Sequence, residues 1–97
     1  NCILLDNYVI SKSEGMMRPY EDILWAYRYV MRRNFVVVNQ YALCRLVDGG
    51  KIQLTPPGFL KKESIEEILD TIAMKNPSVM LGYTNENQRA YKEMTRR

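Results

Sequence analysis

The chain has 97 residues, 46% hydrophobic and 26% charged, with 14 Lys and Arg against 11 Asp and Glu for a net charge of +3. That composition excludes a disordered chain and fits one domain over residues 1–97, while the mild positive balance lacks the dense basic stripe of a polyanion binder. There is no His, which removes the usual zinc sites and His-based nucleophile systems, and no apolar run reaches the length of a membrane-spanning helix.

Residues 2–5 and 8–11 are apolar runs separated by Asp6-Asn7, a pair that tolerates the left-handed backbone of a tight turn. They read as two paired strands. Lys12-Ser13-Glu14-Gly15 is a second turn, and residues 16–18 form a third short strand stopped by Pro19. Residues 20–33 admit two periods. As a helix, Tyr20, Ile23, Leu24, Tyr27, Val30 and Met31 make an apolar stripe. As a strand, Ile23, Trp25, Tyr27, Tyr29 and Met31 line one face, with Arg28 and Arg32 on the other. Crowded aromatics favour the strand, preceded by one helical turn at residues 19–22.

Residues 35–38 are β-branched in character, and residues 41–47 continue in strand composition. Asp48-Gly49-Gly50 is the strongest hairpin signal, because Gly enters positive-φ turns at no steric cost. Residues 51–55 alternate, with Ile52 and Leu54 on one face, before Pro56-Pro57-Gly58 ends the sheet. The β-rich part is thus residues 1–60, and residues 61–97 are helical. Ser64 and Glu67 fit a capping box, followed by the stripe Ile65, Ile68, Leu69 and Ile72. Asn76-Pro77 closes that helix, with Asn suited to a left-handed cap. Residues 79–81 are a short apolar return and Gly82 a bend. Thr84 or Asn85 caps a last helix ending in Arg96 and Arg97, which has only Ala90, Tyr91 and Met94 to bury and should dock loosely.

The order describes an α+β domain: about five to six antiparallel strands in a sheet or partial barrel, an amphipathic capping helix and a short terminal helix. Leu5-Asp6-Asn7-Tyr8-Val9-Ile10-Ser11, Tyr20-Glu21-Asp22-Ile23-Leu24-Trp25-Ala26-Tyr27 and Asp48-Gly49-Gly50-Lys51 occur in that order, followed by Asn76-Pro77 and Leu81-Gly82-Tyr83. These stretches resemble a bacterial family of uncharacterised proteins from gut-type Firmicutes that is similar to pleckstrin-homology folds. The resemblance implies a pleckstrin-homology-like fold over most of the chain and brings no catalytic residue with it. Phosphoinositide-binding relatives place several basic residues around the first hairpin loop. Here Lys12 stands beside Glu14, a departure that weakens a lipid reading.

Arg28, Arg32, Arg33 and Arg45 are the sharpest candidates for a binding face, able to hold phosphates of lipid or nucleic acid. The plainer reading is a solvated face whose Arg stems cover apolar surface. Trp25, Tyr27 and Tyr29 could stack bases, although inward-facing core is the plainer reading. Facing outward, they fit a protein partner, since Tyr and Trp dominate interface hot spots. Glu66, Glu67 and Asp70 read as a solvated helix face rather than paired carboxylates. No catalytic residue, cofactor or metal ligand follows from any of these. Cys2 and Cys44 read as buried small hydrophobes in a reducing, cytoplasmic setting, with a disulfide as the alternative. The chain begins at Asn1 rather than Met, which leaves open a fragment or a processed chain lacking an N-terminal strand or a membrane anchor; a missing anchor would imply a tether to the cytoplasmic face of a membrane. The expected function is a non-enzymatic interaction module that binds a protein or a second copy through a sheet edge or the Tyr-rich face. The alternative is an anionic lipid or nucleic-acid binder.

Overall fold

The computed structural model describes residues 2–12, 14–56 and 62–96. Three short strands open the chain: β1 (Cys2–Leu4), β2 (Tyr8–Ser11) and β3 (Met16–Pro19), antiparallel in the order β1-β2-β3. Asp6-Asn7 makes the anticipated tight hairpin, with the Leu5 N–H donating to the Tyr8 carbonyl at 2.8 Å. Gly15, at φ 64°, closes the second turn in the left-handed region. Ser13 of that turn lies outside the described residues. Pro19 is the last residue of β3 rather than the first beyond it, a place where its missing N–H disturbs no ladder. One 3₁₀ turn, Tyr20–Asp22, follows as expected.

Residues 23–33 are a strand, β4 (Ile23–Arg33), because β5 (Val36–Leu46) pairs with it along its whole length. β6 (Lys51–Leu54) joins β5 through the Asp48-Gly49-Gly50 turn, where Asp48 Oδ1 accepts the Gly50 N–H at 2.8 Å. β7 (Met80–Leu81) lies parallel to β4, giving the order β6-β5-β4-β7. The single sheet or partial barrel expected from the sequence is therefore corrected. The described strands form two sheets, of three and four strands, and do not close into a barrel. Pro19 and the 3₁₀ turn break the chain between β3 and β4, so the ladder cannot continue from one sheet into the other.

A bulge sets which residues face where. Ile23 stands opposite Leu46 and Trp25 opposite Arg45, which leaves Leu24 as an extra residue. Ile23 and Trp25, expected on one face, therefore point to opposite faces: Ile23 packs with Ala26, Cys44 and Leu46, and Trp25 with Tyr27 and Leu43. The far end of the pair turns at Asn34-Phe35, both at positive φ (51° and 68°), the signature of a two-residue type I′ hairpin. Phe35, expected in the strand, sits in that turn instead.

The four-stranded sheet is covered on both faces at one end only. Helix α1 (Lys62–Lys75) places Ile65, Ile68 and Ile72 on one face, together with Val9 of the first sheet. Each of these buried aliphatic side chains contributes about 1.5–3 kcal/mol. The helix begins at Lys62, so Ser64 lies within its first turn and is not the cap. Its other end departs from expectation too. Asn76 is not left-handed, and its Nδ2 donates to the Tyr20 and Ile23 carbonyls at 3.0 and 2.9 Å, tying α1 to the 3₁₀ turn. Helix α2 (Asn85–Thr95), capped by Thr84 as expected, covers the opposite face of the sheet. It docks through Tyr91, whose hydroxyl donates to the Leu46 carbonyl at 2.7 Å, while Met94 stays exposed. Pro57, Gly58 and Arg97 lie outside the described residues.

Candidate functional site

Backbone alternation along β4 divides the predicted binding residues. Trp25, Tyr27, Tyr29 and Arg33 take one face of the sheet, and Arg28 and Arg32 the other. Arg45 stands opposite Trp25 and shares its face. The four arginines are thus distributed over two faces, whereas Arg45 and the aromatic residues are brought together.

On the aromatic face, Trp25 and Tyr27 are buried and Tyr29 is 41% exposed. Two residues that strand periodicity could not nominate complete the group. Tyr83 stacks on Trp25 at 5.6 Å between ring centroids, and Tyr91 of α2 packs on it at 5.7 Å. Gly82, at φ 98°, turns the chain so that its carbonyl accepts the Trp25 indole N–H at 2.7 Å and Tyr83 lies over the ring. The Arg45 guanidinium lies 5.8 Å from the Trp25 ring centre and 5.1 Å from that of Tyr91, within cation–π range. Burial works against its charge, but the Tyr27 and Tyr91 phenols outweigh that and raise its pKa above the ordinary value. Its buried Nε has no hydrogen-bond partner among the described residues. Tyr29 stacks on Tyr41 at 5.3 Å further along the same face. Burial, followed by the neighbouring Tyr29 and Tyr27, pushes the Tyr41 phenol up.

Beside these rings runs a groove of about 610 Å³ between β4 and α2. Tyr27, Arg28, Tyr29 and Val30 line it consecutively, with Lys92 of α2 opposite. A strand seen face-on offers every second residue, so four in sequence mark its edge. That edge is open. β7 pairs only with Trp25 and Ala26, and past them no outer strand pairs with β4 among the described residues. The Ala26 carbonyl points outward, accepting the Gly82 N–H at 3.0 Å. Alternation then turns the N–H and C=O groups of Arg28, Val30 and Arg32 outward as well. Beyond the groove, β4 and β5 project as a two-stranded arm on which Met31, Val36, Val37 and Val38 are exposed and Phe35 is 95% exposed.

Sequence reasoning missed Tyr83, Tyr91, Lys51 and Lys92 as groove residues. The available signal was Tyr91 at the centre of a helix with little else to bury.

Among the described residues no group of three His, Cys, Asp or Glu could hold a metal ion, and no helix is long and apolar enough to cross a membrane. Cys2 and Cys44 are free thiols. Cys44 is fully buried, and that burial pushes its thiol far above the ordinary range. No family model matches the sequence, and no curated protein or solved structure matches the chain.

Proposed function

We propose that the domain is a non-enzymatic protein-binding module that takes an extended segment of its partner along the outer edge of β4. The observation that carries this reading is the edge itself: the outward N–H and C=O groups of Arg28, Val30 and Arg32 flank an aromatic groove. Main-chain bonds to such an edge supply affinity, and the side-chain groove supplies selectivity. We further propose an open relative of the pleckstrin-homology architecture, with a helix on each face of the four-stranded sheet and one edge left for a partner.

The test uses a library of random linear peptides displayed on phage and selected against the wild-type domain and Val30→Pro in parallel. Proline at Val30 removes an outward donor and leaves the β4–β5 ladder intact. Peptides enriched on wild type and lost on Val30→Pro support the reading. Enrichment indifferent to Val30→Pro, in a variant with unchanged circular dichroism, counts against it.

A second reading, association of two copies, is favoured by the exposed apolar end of the arm, where Phe35 is 95% and Val36 63% exposed. Sedimentation over a range of concentrations tests it. Reversible association abolished by Phe35→Ser supports it, and a monomer at every concentration counts against it.

A further inference from the structure

We infer that the segment taken along β4 alternates acidic and apolar residues, with its acids set against Arg28 and Arg32. This rests on the edge-binding reading above and adds the chemistry of the occupant. A strand laid beside β4 turns successive side chains to opposite faces. On one face it meets Arg28 and Arg32, either side of Val30. On the other it meets the aromatic groove.

Both faces carry the same sign. The Arg28 Nε donates to Gln40 Oε1 at 2.9 Å, which holds its stem in place without neutralising it. Neither Arg28 nor Arg32 has an ion-pair partner among the described residues. Arg45, Lys51 and Lys92 line the groove, and no carboxylate among the described residues does. A Glu or Asp on the incoming strand therefore finds a cation across from it, whereas a Lys or Arg meets like charge. Between the acids, apolar side chains lie against Tyr29 and Tyr83, both exposed beside the buried Trp25 and Tyr27.

The same arrangement disfavours two other occupants of this edge. In an antiparallel pairing of two β4 edges centred on Val30, each Arg28 would stand opposite Arg32 of the second copy. Charged edge positions of this kind guard strands against self-pairing. Single-stranded nucleic acid needs open ring faces for its bases. Trp25 and Tyr27 are 3% and 4% exposed, and Tyr83 already covers the Trp25 ring.

The experiment titrates three blocked synthetic peptides into isotopically labelled protein: one alternating Glu and Val, its Glu→Gln counterpart and its Glu→Lys counterpart. A single-stranded thymidine oligonucleotide forms a fourth arm. The expected result is binding of the Glu peptide with amide shifts at Arg28, Val30 and Arg32. Each cross-strand ion pair is expected to change affinity by up to about fivefold, so the Gln peptide loses roughly tenfold and the Lys peptide does not bind. The paired variant Arg28→Gln with Arg32→Gln removes the preference for Glu over Gln. Comparing peptides on the unaltered protein keeps the test independent of whether that variant folds. Equal binding of the Glu and Gln peptides overturns the acidic preference and leaves edge binding standing. Binding of the oligonucleotide but of no peptide overturns both. Absence of binding in every arm overturns this inference, while the displayed library separately decides the edge-binding reading.

Discussion

The two ends of the β4–β5 pair are built from similar residues and meet opposite fates. Near the β6 turn, Ile23, Trp25, Leu43, Cys44 and Leu46 are buried, because α1 covers one face and α2 the other. At the far end, Met31, Val36, Val37 and Val38 are equally apolar and exposed, because neither helix reaches them. Composition selects the strand, but the length and docking of the helices decide where core ends and surface begins. That boundary falls near Tyr29, half in the groove and half in solvent, which is also where the outer edge of β4 becomes free.

The contrast can be broken from the covered end. Ile72→Ala removes a fully buried side chain from α1 and is expected to cost about 3–4 kcal/mol, whereas Val36→Ala on the arm changes stability by no more than about 0.5 kcal/mol. Denaturant unfolding of the two variants checks the pair, and similar losses would mean that the arm packs against something. Next comes the latch between α1 and the 3₁₀ turn. Asn76→Ala leaves the Tyr20 and Ile23 carbonyls without that donor and is expected to destabilise by about 2 kcal/mol. Hydrogen exchange should show the loss as faster opening of the α1 end, with the arm amides unchanged. The smallest effect has the opposite sign. Phe35 holds φ 68° with its side chain in solvent, so Phe35→Gly relieves backbone strain and is expected to stabilise by about 1 kcal/mol. A rise in melting temperature together with weaker self-association would separate what Phe35 costs the fold from what it offers a second copy.

Local chemistry was legible in the sequence, and relations between distant elements were not. Asp6-Asn7, the turn before β4, Asp48-Gly49-Gly50 and Thr84 announce themselves because their residues act on their own backbone. The strand character of residues 23–33 followed from their crowded aromatics. The parallel β7 and the reach of Asn76 to Tyr20 depend on partners more than fifty residues apart, which no short window contains. The candidate site divides in the same way. Trp25, Tyr27, Tyr29 and Arg45 could be named from composition, but Tyr83 joins them only through the bend at Gly82, and Tyr91 and Lys92 only once α2 crosses the sheet. An edge is likewise a property of neighbours, so its freedom past Ala26 was invisible.

Leu24 carries a consequence for how this chain tolerates changes of length. A strand is read in twos, and the extra residue acts as a frameshift: Ile23 is read in one phase and everything from Trp25 onward in the other. Deleting Leu24 would make Ile23 and Trp25 direct neighbours, which ordinary alternation already places on opposite faces, so both phases survive the edit. Deleting Ala26 instead would invert one part of the strand relative to the other, exchanging core residues for groove residues. Insertions and deletions across β4 are therefore not equivalent, and Leu24 marks the position where the chain can be shortened by one residue without turning either face inside out.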